Sequence, residues 1–424
     1  MTDHGPGAAG RARAIARARG AAPDDDPGGP VGKGPGSAGR AAAAAAARES
    51  AAAESGGRRR RSPLRSWSPG VAVLALAVAA AGLLLLGPRW RERDTGRPVP
   101  LGEAYPAART GALPAHLPDG PAYDPALLLD ADTSVGTAPT PDGRTLRLVL
   151  HRGGQARTLR ALPVGADPLF GGLTVAGDTL IWAETVSGTG GAASSSLWTA
   201  AARGAGEPVR LTADTGALAF FHSAYDLVVA EDRLRWVAVG AGATPVTQLR
   251  SVPLTGGAVT VRDLPGQWTQ SAWPWLVSAA EDHGQPARFN LATNQRAEVP
   301  AGTSDLVACG PQWCRVQVLG DAGPSRLDAM RPDGGGRREI AGPGTSAAVT
   351  DVAVLDRFEV LTRASEQGAA DSQQELLLYD LARRRMLVVA QGVGLVNSRD
   401  GWLWWSTGGT GNTRWHTLDL RALA

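Results

Sequence analysis

The pattern of apolar and polar residues changes character twice along the chain, near residue 66 and near residue 126. Residues 1–66 are mostly Ala, Gly, Arg, Pro and Ser, with almost no large apolar side chains. Such a segment buries too little apolar surface to offset the entropy lost on folding, so we expect a disordered tail. After residue 126, short apolar runs alternate with turn residues and no long amphipathic helix appears, which predicts an all-β fold.

An apolar segment separates these two regions. The 23 residues from Ser66 to Pro88 carry no charge. At about 1.5 Å per residue they span roughly 34 Å, enough to cross a hydrocarbon core about 30 Å thick. We therefore predict an uncleaved transmembrane signal anchor over residues 67–90; a buried globular helix and a cleaved signal peptide are the alternatives. The residues expected at the membrane interface are Trp67, Trp90, Arg65 and Arg89.

The charge is distributed unevenly along the chain. Residues 1–100 contain 16 Lys and Arg against 8 Asp and Glu, whereas residues 101–424 contain 27 against 32. The positive charge therefore belongs to the tail and to the flanks of the apolar segment, where contact with membrane lipids is favoured over contact with nucleic acid. The charges on the two flanks differ too little in number to orient the segment.

The only two cysteines, Cys309 and Cys314, lie on either side of a Gly310-Pro311 turn signal and within apolar runs. This arrangement predicts a β-hairpin that brings the two thiols within disulfide range. No His lies nearby to complete a metal site, and the spacing differs from the redox Cys-x-x-Cys pattern. A disulfide belongs to an oxidising compartment, so we expect a single-pass cell-membrane protein with a cytoplasmic N-terminus and an extracellular C-terminal domain.

Residues 91–125 contain several prolines and are predicted to form an extended stalk. From residue 126 to residue 424 a loose unit recurs, in which a strand with a bulky apolar residue is followed by a polar turn and a second strand. About 300 residues divided among seven units gives roughly 43 residues each, the size of a propeller blade. Residues 126–424 are thus predicted to form a β-propeller of about seven blades, with six blades or a pair of β-sandwiches as alternatives.

Turns such as Gly177-Asp178 and Glu231-Asp232 precede several of the strands that open these units. The opening strands are expected at 145–150, 179–183, 233–237, 273–277, 313–316, 357–361 and 401–405. The last unit lacks an outer strand, and we expect residues 126–130 to supply it and to close the ring.

A basic tail, one signal anchor, a Pro-rich stalk and a ring of weak Trp-containing β repeats together resemble the actinobacterial membrane-anchored TolB-like propeller proteins. The hairpin Cys309-Gly-Pro-Gln-Trp-Cys314 is the local feature most similar to that group, and the resemblance covers roughly residues 67–424. It implies a propeller outside the membrane and usually no enzymatic activity. It carries over no functional residue.

No catalytic, cofactor-binding or metal-ligating residue is assigned from the sequence. There is no Gly-x-Ser-x-Gly nucleophile motif, and the six His form no ligand pair. A lone His such as His222 is more often packed or at the surface than in a channel. Residues 130–134 begin like a calcium loop but lack its central Gly.

Eleven of the 13 Trp follow residue 100. Their recurrence at the same place in each unit favours a structural role between blades, and the alternative is a stacking platform for sugar. Trp404 and Trp405 are expected to differ, because adjacent strand residues face opposite sides and one ring is then left exposed.

The function predicted from these features is a non-catalytic binding or scaffolding module on a membrane anchor, monomeric, with an unknown extracytoplasmic protein or glycan as partner. The alternative is a propeller-fold enzyme that acts on cell-envelope or extracellular carbohydrate. At least two Asp or Glu with shifted pKa values around the channel mouth would favour the enzyme, and their absence would favour binding.

Overall fold

The computed structural model describes residues 97–187, 193–278, 285–321, 323–364, 374–409 and 411–423. The predicted tail and the predicted span over 67–90, with Trp67, Trp90, Arg65 and Arg89, lie outside this part of the chain. Within the described part, no helix is long and apolar enough to cross a membrane.

The described chain is almost entirely antiparallel β-structure. It begins with β1 (Val99–Pro100), the one-turn helix α1 (Leu101–Ala104) and β2 (Thr110–Leu113). Five sheets then follow one another in sequence. The first contains β3 (Asp124–Leu128), β4 (Thr133–Pro139), β5 (Thr145–Arg152) and β6 (Gln155–Pro163). The second contains β7 (Leu169–Ala176), β8 (Thr179–Ser187), β9 (Ala193–Ala201) and β10 (Val209–Thr212).

The third sheet has a first strand that is split in two. It contains β11 (Ala217–Leu218), β12 (Val228–Ala230), β13 (Arg233–Val239), β14 (Val246–Pro253) and β15 (Thr260–Pro265). The fourth contains β16 (Trp268–Gln270), β17 (Trp275–Ser278), β18 (Ala287–Asn290) and β19 (Gln295–Glu298). The fifth contains β20 (Asp305–Cys309), β21 (Cys314–Gly320), β22 (Gly323–Met330) and β23 (Arg338–Ala341).

The last sheet holds two further units that share one long strand. Its strands are β24 (Thr345–Ala347), β25 (Phe358–Ala364), β26 (Gln374–Asp380), β27 (Arg385–Arg399), β28 (Trp402–Thr407) and β29 (Arg414–Asp419). The first half of β27 pairs with β26, and its second half pairs with β28. The described residues therefore form seven consecutive antiparallel meanders, and the predicted β-propeller is confirmed.

The ring is closed by the N-terminal strand β2. It pairs antiparallel with β29, from Thr110 opposite Leu418 to Leu113 opposite Trp415, and so supplies the fourth strand of the seventh blade. Of residues 126–130, predicted to close the ring, 126–128 lie instead in the first strand of the first blade and the other two in the turn that follows it. An N-terminal strand does close the ring, as predicted, but it is a different strand. β2 was not recognised because Thr110–Leu113 is short and rich in small residues.

The predicted stalk also differs from the structure. From Arg97 onwards, residues of the 91–125 segment belong to the propeller: β1 lies parallel to β27, opposite Leu387 and Val388. Five of its large side chains are buried, namely Leu101, Tyr105, Leu113, Leu117 and Tyr123. Their burial removes apolar surface from water, which an extended stalk would leave exposed. The predicted opening strands were also misplaced: 145–150 lies in the third strand of its blade, and the other six fall at second strands.

Apolar clusters between successive blades hold the ring together. Such clusters join blades one and two, two and three, three and four, five and six, and six and seven. A further cluster joins the seventh blade to the first, where Trp402, Trp404 and Trp415 pack with Leu113 and Leu128. Buried aromatic rings contribute the largest apolar areas of such interfaces.

Eight of the eleven Trp after residue 100 are buried, which favours the structural role over a sugar platform. Trp404 is 1 % exposed and Trp405 is 3 % exposed, so the expectation that one of them is left uncovered was wrong. The two rings do face opposite sides, but each side is covered by a neighbouring blade: Trp404 packs toward the first blade and Trp405 toward the sixth.

Candidate functional site

The split first strand of the third blade inserts residues 219–227 between β11 and β12. We call this insertion the axial segment. It folds back on the Asp226 carboxylate, which accepts hydrogen bonds from the backbone N–H of Phe221 at 2.8 Å and of Ser223 at 3.2 Å. His222, between these two donors, adopts a left-handed φ of 58° and is exposed, as expected for a lone surface His.

The axial segment reaches the opposite side of the ring. Ser223 donates from Oγ to Oδ1 of Asp351 at 2.5 Å, and the backbone N–H of Ala224 donates to Oδ2 at 2.9 Å. The Thr350 hydroxyl donates to the Phe221 carbonyl at 3.0 Å. Thr350 and Asp351 follow the first strand of the sixth blade, which lies across a seven-membered ring from the third. The segment therefore crosses the propeller axis.

Arg399 adds the second and seventh blades to this crossing. It ends the long strand β27 and donates through Nη2 to the Ser223 carbonyl at 2.7 Å, while Nη1 donates to the Leu173 carbonyl of the second blade. The arginine is buried, and both acceptors are backbone oxygens. Four blades thus meet at the axis through side-chain contacts.

Carboxyl groups surround the axial segment, and several have raised pKa values. Burial raises the pKa of Asp226 to about 6. Burial also raises the pKa of Glu359, although Arg315 and the N–H of Ala353 oppose the shift. Desolvation raises the pKa of Asp400, opposed by Arg399 and Arg421. The carboxylates of Asp226, Glu359 and Asp351 each accept bonds from the protein itself.

A separate groove of about 480 Å³ lies between the fifth and sixth blades. Its walls come from the turns that join first to second and third to fourth strands in these two blades. The lining residues are Gln312, Trp313, Arg331, Arg338, Leu355, Asp356, Arg357, Leu381, Ala382 and Arg384. Four arginines against one aspartate make the groove cationic.

Trp313 organises one wall of the groove. Its indole N–H donates to the Asp356 carbonyl at 3.1 Å, which ties the fifth blade to the sixth. The guanidinium groups of Arg331 and Arg338 lie 3.8 Å and 5.1 Å from the centre of its ring, within the range of cation–π attraction. The tryptophan therefore fixes where two positive charges stand.

The opposite wall is the turn between β24 and β25. Leu355 and Asp356 both have left-handed backbones, with φ of 59° and 55°, as the two central residues of a type I′ turn do. A leucine is an unusual choice there because its side chain strains the left-handed conformation. Leu355 is also 44 % exposed, so the strain is not offset by burial. Burial raises the pKa of Asp356, opposed by hydrogen bonds from Gln312 and by the charge of Arg331.

The predicted disulfide stands beside this groove. Cys309 and Cys314 are bonded at the facing ends of β20 and β21, which confirms the predicted bridge. The bridge closes the four-residue turn that carries Gln312 and Trp313, and within it the Gly310 N–H donates to the Trp313 carbonyl at 2.8 Å. The disulfide thus closes the turn that carries two of the residues lining the groove.

Sequence reasoning missed both the axial segment and the groove. Residues 219–227 carry no motif, and their partners are more than a hundred positions away along the chain. The groove arginines are spread among many other arginines, so nothing in the sequence singles them out.

Among the described residues, no group of three or more His, Cys, Asp or Glu could hold a metal ion. The suspected calcium loop forms the turn between β3 and β4, where the Asp132 N–H donates to Oδ1 of Asp130 at 2.9 Å.

No protein-family model matches this chain, and no curated protein matches it in sequence. Solved structures of similar shape include the β-propeller domain of the Trilobed protease from Pyrococcus furiosus, with TM-score 0.40 and 11% identity, covering 59% of this chain and 83% of that one. A puromycin-hydrolyzing peptidase of Mycobacterium tuberculosis gives TM-score 0.43 and 13% identity over 75% of this chain and 52% of that one.

The acylaminoacyl peptidase of Pyrococcus horikoshii gives TM-score 0.40 and 9% identity over 59% of this chain and 45% of that one. This chain spans about half the length of the two peptidases it resembles. Similarity this low indicates nothing about activity. The propeller fold is assigned from the order and pairing of the strands.

Proposed function

We propose that this chain is a membrane-anchored extracytoplasmic β-propeller that acts as a non-catalytic binding or scaffolding module. The proposal rests on the hydrogen bonds that the carboxylates around the axial segment already accept within the protein. Asp226 and Asp351 bond to the axial segment, and Glu359 bonds to the Ala353 N–H and to Arg315. The centre of the ring is occupied by the chain itself, which leaves the groove between blades five and six as a concave polar surface for a partner.

The proposed location draws on two features. The uncharged 23-residue segment before the propeller has the length of a membrane span. The Cys309–Cys314 bridge is of a kind that persists in oxidising compartments. Together they support a cytoplasmic N-terminus, an anchor over 67–90 and a propeller outside the membrane, as in the TolB-like proteins that the sequence resembles.

An enzyme that acts on cell-envelope or extracellular carbohydrate is the second candidate. It is favoured by the raised pKa values of Asp226, Glu359 and Asp400, since a carboxyl group whose pKa is raised by burial is a potential general acid. Against it stand the backbone bonds that Asp226 and Glu359 already accept.

The two candidates are separated by a hydrolysis assay. The full-length chain in detergent is incubated with cell-envelope polysaccharide, and the release of reducing ends is followed beside Asp226→Asn. A binding module releases no more reducing ends than buffer alone, and the variant behaves in the same way. Release above buffer that Asp226→Asn abolishes would overturn the non-catalytic proposal.

A further inference from the structure

We propose that the groove between blades five and six binds a ligand through two anionic groups, phosphate or carboxylate. The inference rests on the proposed binding function and names the chemistry of its ligand. Three observations support it: the positive charge of the groove, the contacts that hold Arg331 and Arg338, and the fact that Arg384 has no partner among the described residues.

The groove carries an excess of positive charge. Of the four lining arginines, Arg357 is neutralised by Asp380, to which its Nη2 donates at 3.0 Å. Arg331, Arg338 and Arg384 remain, against the single carboxylate of Asp356. Two positive charges are therefore left in excess in a concave surface, where low-dielectric walls strengthen attraction for an anion.

Two of these cations are held against the same tryptophan ring. Because Arg331 and Arg338 lie 3.8 Å and 5.1 Å from the same indole centroid, their guanidinium carbons are within about 9 Å of each other. Arg331 is further fixed by a bond from Nη1 to the Gln312 carbonyl at 3.1 Å, and Arg338 by a bond from Nη2 to the Leu381 carbonyl at 2.7 Å. Like charges repel in this arrangement, and an anion that contacts both would relieve the repulsion.

Arg384 supplies the third cation, on the sixth blade. It sits in the turn before β27 with a left-handed φ of 53° and an exposed side chain. No hydrogen bond or ion pair joins its guanidinium to the part of the protein that the structure describes. A ligand with two anionic groups can therefore engage the pair on Trp313 with one group and Arg384 with the other.

The same geometry disfavours a neutral sugar. Stacking of a sugar requires an open aromatic face, but Trp313 is 8 % exposed and has two guanidinium groups over its ring. Arginine forks match the two oxygens of carboxylate and phosphate groups in bidentate pairs. The groove thus presents donors for anions rather than an apolar platform.

Calorimetric titration of the full-length chain in detergent tests the proposal at constant ionic strength. The probes are inorganic pyrophosphate and succinate, which separate phosphate from carboxylate, with maltose as the uncharged control. We expect saturable binding of at least one dianion and none of maltose. Arg331→Ala and Arg384→Ala should each weaken that binding by about tenfold, the size of one charge-assisted hydrogen bond.

Arg144→Ala is the matched control, because Arg144 is 86% exposed and lies 3.9 Å from Asp142 on another loop. It should bind as the wild type does, and Arg331→Lys should retain part of the affinity with an unchanged melting temperature. The proposal is overturned if neither dianion saturates the protein, or if Arg331→Ala and Arg384→Ala bind as tightly as wild type. Either result leaves the hydrolysis assay, and with it the proposed non-catalytic function, unaffected.

Discussion

Ser223 of the third blade donates a 2.5 Å hydrogen bond to Asp351 of the sixth blade, 128 positions further along the chain. The two blades lie on opposite sides of the ring, so this bond joins them across the axis. Ser223 is 8 % exposed, and the second oxygen of Asp351 accepts from the Ala224 N–H. The axial segment therefore acts as a cross-tie within the propeller.

Removal of the Asp351 carboxylate tests this cross-tie. In Asp351→Ala, the Ser223 hydroxyl and the Ala224 N–H lose their acceptor while they stay largely out of water, so we expect a loss of about 1–3 kcal/mol of unfolding free energy. Ser223→Ala should cost about 1 kcal/mol, because it removes one hydrogen bond while Asp351 keeps the bond from the Ala224 N–H. Urea unfolding of both single variants and the double variant gives the coupling energy. Strictly additive losses would show that the pair does not act as a unit.

Strand β2 supplies a second prediction, about closure of the ring. A Cβ added at Gly111 would stand 2.6 Å from Oγ1 of Thr417, a stiff and buried side chain in β29. Gly111→Ala should therefore lower the unfolding free energy by about 1–3 kcal/mol through overpacking. Gly102→Ala is the control in the same segment, since a Cβ there meets nothing within 4 Å. Equal melting temperatures for the two variants would contradict closure through β2.

The raised pKa of Asp226 makes a prediction about pH. Burial moves its pKa from 3.8 to about 6, so between these values the folded chain holds the proton more tightly than the unfolded chain. The protonated Asp226 carboxyl group therefore stabilises the fold below about pH 4, and this contribution is lost as pH rises through 6. Asp226→Asn cannot titrate. Its unfolding free energy should rise relative to wild type by on the order of 3 kcal/mol between pH 4 and pH 6.5.

Asp305 is the control of opposite sign. Hydrogen bonds from Arg337 hold the pKa of Asp305 below its usual range, so its contribution is present above about pH 4 and is lost as pH falls through the lowered pKa. The difference between Asp305→Asn and wild type should be flat from pH 4.5 to 6.5. A flat difference for Asp226→Asn over the same range would contradict the effect assigned to burial.

How far the sequence predicts this fold depends on the strand. The second and third strands of most blades carry alternating apolar residues and follow clear turn residues, and Glu231-Asp232 indeed joins β12 to β13 with two left-handed residues. Strand β4 was missed because Gly136, Ala138 and Pro139 make it resemble a loop. Strand β2 was missed because it has only four residues, of which Leu113 alone is large and apolar, and these give no pattern of their own.

The candidate site was less predictable than the fold. The disulfide could be read from the sequence because both cysteines flank one local turn. The positions of Arg331 and Arg338 depend instead on Trp313 and on packing between two blades. Contacts of that kind leave no local signal, and the same holds for Arg399, whose acceptors lie in the second and third blades.

The strained turn at Leu355 supports one further prediction. Left-handed backbone is much better tolerated by Asn than by Leu, and the exposed side chain contributes little packing. Leu355→Asn should therefore raise the unfolding free energy by about 0.5–1 kcal/mol. Leu306→Asn is the control, because Leu306 is similarly exposed at 49 % and has no left-handed φ. If both variants became more stable, the gain would come from replacing an exposed apolar side chain by a polar one rather than from relief of backbone strain.

Thiol labelling of intact cells tests whether the propeller lies outside the membrane with its Cys309–Cys314 bridge formed. Cys309 and Cys314 are the only cysteines, so a membrane-impermeant maleimide reports on them alone. Intact cells are labelled with and without reductant, beside a variant that carries both Cys309→Ser and Cys314→Ser. We expect labelling of intact cells only after reduction, and no labelling of the double variant. Labelling that requires cell lysis would overturn the proposed location, and labelling without reductant would show that the bridge is not formed.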